Sequence, residues 1–329
     1  MMSTVPDVDY RATSQRPSWS MLPAGVRAEV ASLVGSRVVA ADPVVTSGFT
    51  GSYAGSVRFA DGSRALVKAG GPDMPHVVDA LAQEARVLRA LPPGIPAPGL
   101  IAASATLGWS VLLLDVVDGR MPGQPWTAAD VDAVHGACVT LAEQATPCPA
   151  ELAGASVARD MAGDETVLGV GRALGEGRFE LPPGMPGWVL RRQEDLGELV
   201  LDAANHLSGA TLSHGDVRPD NLLVDVAGKA WVVDWNWVGV GPAWVDLVGL
   251  APMMAWQGVE VDGLIETSPL TRDADQLGID GFLAVIAVYM MSDLDAPPPP
   301  GCTAALRRHQ RLMAHMFLDF LRHRRGWEA

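Results

Sequence analysis

The chain has 329 residues, 48% of them apolar, which suits a packed core in one large or two modest domains and excludes disorder as the main state. Its 38 acidic and 24 basic side chains leave a net charge of −14, which argues against nucleic acid as the main partner, because phosphate backbones are held by clustered Lys and Arg. Three scattered cysteines (Cys138, Cys148 and Cys302) supply neither a disulfide framework nor a zinc site, so a reducing, cytoplasmic setting is expected. The opening residues lack the basic and apolar regions of a secretory signal. The longest apolar run, about 282–291, is far short of the ~20 residues of a membrane span and reads as a buried helix, so no membrane partner is expected.

In chain order, residues 1–20 are polar and contain proline, and read as a flexible arm. A short helix is expected near 23–33. Strand-like runs at 51–59 and 64–69 flank Asp61-Gly62, a strong hairpin signal. Residues 75–91 read as a helix: at ~100° per residue, Leu81, Glu84, Leu88 and Leu91 fall within about 40° of Val77. The segment 92–96, rich in proline, ends it, and strands follow near 99–103 and 110–114. Beyond Gly119 the pattern turns helical. Thr127 and Asp130 form a capping-box signature opening a helix to about Gln144. Further helices are expected over 151–168, 191–207, 243–256, 273–291 and 302–325, with a Gly/Pro-rich interruption at 169–187 and a stiff proline spacer at 297–300. The expected organisation is α+β: a flexible arm over 1–20, a small sheet-rich lobe with one main helix over 21–117, and a larger helical lobe over 118–329.

Glu84 falls in the middle of its helix's buried stripe, where a carboxylate is costly unless paired. Lys68, ending the strand Ala65-Leu66-Val67-Lys68, is the natural partner, although a neighbouring Arg would also serve. The 24 basic residues comprise 22 Arg and only Lys68 and Lys229, so a Lys at this place is itself unusual.

The sharpest pattern is His214-Gly215-Asp216-Val217-Arg218-Pro219-Asp220-Asn221, followed by an apolar strand that ends in Asp234-Trp235. Two strands, 221–224 and 230–233, flank a turn at Ala227-Gly228. A two-residue loop there pairs Val224 with Trp231 and sets Asn221 opposite Asp234 at the open mouth of the hairpin. Hard oxygen ligands that converge in this way suit Mg²⁺, which takes few protein ligands and completes its shell with substrate phosphates.

This constellation resembles the catalytic core of aminoglycoside phosphotransferases and of the related choline and small-molecule kinases, over nearly all of 40–325. The resemblance implies a protein-kinase-like bilobal fold. It implies a small-molecule O-phosphotransferase with ATP, or else GTP, and Mg²⁺ as cofactors. By it, Asp216 is the base that positions the acceptor hydroxyl, Asn221 and Asp234 hold the metal, and Arg218 stands where protein kinases carry the catalytic-loop Lys. His214 braces the loop and Asp246 is structural. Lys68, steered by Glu84, points at the nucleotide phosphates. The loop of Gly48, Gly51 and Ser52 covers those phosphates with its amides, although it is not the Gly-x-Gly-x-x-Gly of protein kinases. Asp115 and Val117 meet the adenine edge through main-chain groups. A protein kinase is the nearest rival, but Asp234 is followed by Trp-Asn-Trp and only 11 residues separate it from Asp246, leaving no room for a long activation loop. A catalytically weak kinase-like binding protein is the rival of another class.

The acceptor pattern is not readable. Residues 155–190 and 255–300 are expected to supply it, and Asp273, Asp275 and Asp280 either line an amine-binding cleft or serve as a helix start and solvated surface. The last 29 residues carry +4 and the remaining 300 carry −18, a field that favours a cationic hydroxylated acceptor such as an aminoglycoside or amino alcohol. Resistance, metabolic (sugar or homoserine-type) and tailoring roles all remain open, as does the oligomeric state.

Overall fold

The structure, a computed structural model, describes residues 5–328. Helix α1 (Ala24–Val34) precedes β1 (Val38–Ala41), β2 (Tyr53–Phe59) and β3 (Arg64–Gly70). Helix α2 (Pro75–Ala90), β4 (Leu100–Thr106) and β5 (Trp109–Leu114) follow. The strands form one antiparallel sheet in the order β1-β2-β3-β5-β4. The two-residue period of β3 decides what its side chains meet. Ala65, Val67 and Ala69 pack with Val26 and Val30 of α1. Leu66 and Lys68 turn to the other face, where Leu66 packs with Val77 and Leu81 of α2.

A short β6 (Gly119–Arg120) leads to α3 (Ala128–Gln144), whose capping box forms as expected between Thr127 and Asp130. Then come α4 (Glu165–Gly175), α5 (Trp188–Arg191), α6 (Gln193–His206), β7 (Thr211–Ser213), β8 (Leu222–Asp225), β9 (Ala230–Val232) and β10 (Gly239–Gly241). The chain closes with α7 (Val245–Trp256), α8 (Asp262–Thr267), α9 (Gln276–Met291) and α10 (Ala305–Arg324). Helices α3, α4, α6, α7, α9 and α10 share one apolar core. Among the described residues, no helix is long and apolar enough to cross a membrane.

Three expectations need correction. The helix expected over 151–168 breaks into a 3-10 turn (Ala150–Leu152), a π turn (Ala158–Ala162) and α4, which runs into the stretch expected as an interruption. Asp164 caps α4 by accepting from the Thr166 and Val167 N–H groups. The glycines there are contact surfaces rather than breakers: a Cβ on Gly197 of α6 would lie 2.6 Å from the Gly175 nitrogen of α4. The hairpin register slips by one. Leu223 faces Trp231 and Val224 faces Ala230, because the turn is a longer one, with the Asp225 N–H bonded to the Lys229 carbonyl and Gly228 at φ 81°.

The third correction concerns the arm. Over residues 5–20 it is packed, with Val8, Tyr10, Thr13 and Ser14 buried. Residues 1–4 lie outside the described part. The Tyr10 hydroxyl hydrogen-bonds Nδ1 of His309 on α10 at 2.9 Å. The Ser14 N–H donates to the Thr46 carbonyl at 2.8 Å. The arm is polar in sequence because its bonds are polar, and its partners are distant along the chain.

Candidate active site

Three elements bring the charged residues of the sequence pattern together. Strand β3 carries Lys68, α2 carries Glu84, and the end of β9 leads to Asp234. The Lys68 ammonium donates to both Glu84 oxygens at 2.8 Å and to Asp234 Oδ1 at 2.8 Å. Glu84 has no exposed surface, so this cation answers the cost of burying its charge. Burial alone would lower the Lys68 pKa; Asp234 and Glu84 outweigh it and raise the value above the ordinary range. Partial burial of Asp234 alone would raise its carboxyl, but Lys68 overrides this and holds it at about 2. Asp234 sits at φ 70°, a left-handed backbone that Asp tolerates better than most side chains and that interrupts strand alternation.

The loop after β7 holds the second group. The Arg218 guanidinium donates to both oxygens of Asp216 (2.7 and 2.8 Å) and to both oxygens of Asp220 (3.0 and 3.2 Å). The Asn221 amide nitrogen donates to the Asp216 carbonyl at 2.8 Å and to its carboxylate at 3.0 Å. The Asp216 carboxylate is therefore fixed from two sides. Burial pushes its pKa up to about 6, against the pull of Arg218.

His214 and Asp246 shape this loop from beneath. His214 Nε2 donates to the Val233 carbonyl at 3.0 Å, and Nδ1 lies 3.3 Å from the Asp216 N–H as its acceptor. That pattern requires the neutral ring, in keeping with burial, which lowers its pKa to about 4. Asp246, in the first turn of α7, accepts from the His214 and Gly215 N–H groups at 2.8 and 2.9 Å.

The two residues expected to hold a metal both lie at the open mouth of the β8–β9 hairpin. The Val233 N–H donates to the Asn221 carbonyl at 2.9 Å, so with the register slipped by one it is Val233 that lies across from Asn221, and Asp234 follows one residue beyond. Among the described residues, no group of three or more His, Cys, Asp or Glu side chains forms a metal cage. One amide and one carboxylate oxygen fit a cation that takes few protein ligands.

The glycine-bearing loop between β1 and β2 lies over this site, with Ser52 buried and Phe49 turned into the fold. The Phe49 ring packs against His309 (4.6 Å between centroids), and the Arg218 guanidinium lies 5.2 Å from its centre. Not all of the loop amides are available to a ligand. The Gly51 N–H donates to the Gly301 carbonyl at 2.9 Å, and the Thr303 N–H holds the Phe49 carbonyl at 2.8 Å. At the linker after β5, the Asp115 N–H is taken by the Gly99 carbonyl at 2.9 Å. Among the described residues, no protein group bonds the Asp115 carbonyl or the Val117 N–H, which leaves one acceptor and one donor there.

The acids singled out for an amine cleft are engaged elsewhere. Asp275 caps α9 and bonds His206, Asp280 pairs with Arg324 and Arg325, and exposed Asp273 lies beside Arg272. Other acids, not readable in the sequence, lie nearer the loop after β7. Tyr289 of α9 has its pKa raised by burial and by the combined negative charge of Asp164, Asp216 and Asp293, against Arg307. Tyr289 is nevertheless 45% exposed, so Asp164, Asp216 and Asp293 lie within electrostatic reach of a side chain open to solvent. No local signal marked Asp164, Tyr289 or Asp293, because three separate segments converge there.

The model of the phosphotransferase enzyme family matches residues 55–274. Among solved structures, a thermostable mutant of aminoglycoside phosphotransferase APH(4)-Ia, in ternary complex with AMP-PNP and hygromycin B, is similar with a TM-score of 0.61 at 12% identity, over 91% of this chain and 98% of that one. The choline kinase LicA from Streptococcus pneumoniae gives 0.57 at 12% identity, over 90% and 98%. A putative fructosamine-3-kinase from Thermobifida fusca gives 0.52 at 19%, over 89% and 98%. At these identities the likeness shows a shared kinase-like fold. No curated protein sequence matches the chain.

Proposed function

Since the chain belongs to the phosphotransferase enzyme family, whose members transfer a phosphoryl group to an alcohol, we propose that it moves the γ-phosphoryl group of ATP to a hydroxyl of a cationic small molecule. The observation that carries the reading is the Lys68 ammonium of β3, held by Glu84 from helix α2 and by Asp234 from the end of β9 at 2.8 Å each. A cation fixed in this way is aimed where a nucleotide's phosphates need charge. The Asp115 carbonyl and Val117 N–H supply the edge that receives the base.

In the transfer, the acceptor oxygen bonds to the γ-phosphorus as the bond to the bridging oxygen breaks and ADP leaves. The hydroxyl proton passes to the Asp216 carboxylate, which Arg218 and Asn221 hold in place. A group near pKa 6 remains a competent base at neutral pH. Asn221 and Asp234 are the residues that would hold Mg²⁺, whose chemistry is to neutralise phosphate charge. The cationic acceptor rests on the carboxylates of Asp164, Asp216 and Asp293 around Tyr289, and on the −18 carried by residues 1–300. Choline kinase and aminoglycoside phosphotransferase, both among the structural neighbours, are named for amine substrates of this kind.

The test is ADP release with Mg·ATP against aminoglycosides, macrolides, choline, homoserine and neutral sugars. A hydroxylated amine should give turnover above the no-acceptor rate. Turnover confined to neutral or acidic acceptors would contradict the acceptor class and leave the phosphotransfer itself standing.

A further inference from the structure

Arg16, in the arm that the sequence offers as a loose tail, lies under the glycine-bearing loop. Its Nη1 donates to the Ser52 carbonyl at 2.7 Å and approaches the Ser52 and Thr50 hydroxyls at 3.3 and 3.4 Å. Its Nη2 donates to the Ser47 carbonyl at 2.9 Å. The loop is fitted to this guanidinium. Gly48 stands at φ 83°, and a Cβ there would come within 2.9 Å of Arg16 Nη2. The arm is itself anchored on both sides of Arg16, by Ser14 bonded to Thr46 and by Trp19 packed against Tyr53 at 5.7 Å.

Two further observations separate Arg16 from an ordinary loop brace. Its Nε–H is buried and finds no acceptor among the described residues, so one donor of the fork remains unspent. The charge that acts on it is Asp234, which opposes the lowering that burial imposes on its pKa. Asp234 is also the carboxylate that Lys68 bonds. Arg16, held beneath the glycine-bearing loop, therefore lies within the electrostatic reach of the same carboxylate.

We propose that Arg16 is a phosphate-binding residue of the nucleotide site, a second cation delivered by the N-terminal arm to stand beside Lys68 and hold the β- and γ-phosphates. This rests on the reading of ATP as donor. A guanidinium suits the place because its planar fork bonds Ser47 and Ser52 together while its Nε–H is left without a partner among the described residues. It also gives the arm a function that explains its burial: the chain folds back over the sheet to deliver one charge.

The test is calorimetric titration of the full chain with Mg·AMP-PNP, ADP and adenosine, with the guanine series in parallel. Arg16→Gln keeps a donor for the loop carbonyls and removes the charge; Arg16→Lys keeps the charge and loses the fork. Arg16→Gln should weaken the triphosphate analogue roughly ten- to hundredfold, as expected for a charge-assisted hydrogen bond, weaken the diphosphate less, and leave the nucleoside unchanged. Arg16→Lys should recover most of the loss. Equal weakening of all three ligands would assign Arg16 to loop shape alone and overturn the proposal. So would tighter triphosphate binding in Arg16→Gln, which would make the arm an obstruction, or a Lys variant no better than the Gln one. A wild-type chain that binds neither nucleotide series would overturn the donor reading and this assignment together; nucleotide binding that Arg16→Gln does not alter would overturn this assignment alone.

Discussion

Glu84 and Lys68 stand 16 residues apart, on a helix and a strand, and meet through two hydrogen bonds of 2.8 Å with Glu84 wholly enclosed. The pair follows from two periods. A repeat of two sets Lys68 on the α2 face of the sheet, and a repeat of 3.6 sets Glu84 in the middle of the helix stripe that covers that face.

A double-mutant cycle checks this relationship. Lys68→Met leaves Glu84 as a buried charge without its cation and should cost about 3–5 kcal/mol in unfolding free energy. Glu84→Gln should relieve part of that loss, so that the double variant is less impaired than the two single losses added. Additive losses in denaturant titrations would mean that Glu84 relies on another partner.

Asp246 predicts a structural loss with a catalytic consequence. Asp246→Ala removes the acceptor from the buried His214 N–H and from the adjacent Gly215 N–H. Stability should fall by about 2–6 kcal/mol, at roughly 1–3 kcal/mol for each of the two stranded groups. Turnover should fall as well, because Asp216 is the next residue along this loop. Unchanged unfolding with unchanged turnover would remove Asp246 from the account.

His206 gives a pH dependence. It bonds Asp202 at 2.9 Å and Asp275 at 2.6 Å, and these two hydrogen bonds raise its pKa above the ordinary histidine range. With the folded value raised, its stabilisation is complete below the unfolded value of about 6.5 and is lost as pH rises through the folded one. His206→Gln should therefore lower the Tm most near pH 6 and progressively less toward pH 9. Both carboxylates are about half exposed, so added salt should shrink the difference. A Tm difference that grew with pH would contradict the pairing.

The candidate site was legible wherever it rests on local pattern. The helix phase marks Glu84, the strand end marks Lys68, and the spacing of Asp216, Asn221 and Asp234 marks the loop proposed as catalytic. The hairpin register was off by one residue, because the loop is longer than two residues and only the backbone at Gly228 reveals it. The arm was misread because its anchors are remote: Tyr10 meets His309 across 299 positions, and no window of sequence contains both. The acidic surface around Tyr289 was hidden for the same reason.

The central claim is that this fold moves phosphate to a hydroxyl with Asp216 as the base. Mass spectrometry of a cationic hydroxylated acceptor after incubation with Mg·ATP tests it most directly, with wild type and Asp216→Ala side by side. The account predicts a monophosphorylated acceptor from wild type, a rate lower by ~10²–10⁴-fold in the variant, and nucleotide affinity nearly unchanged. Equal product from both proteins would contradict it.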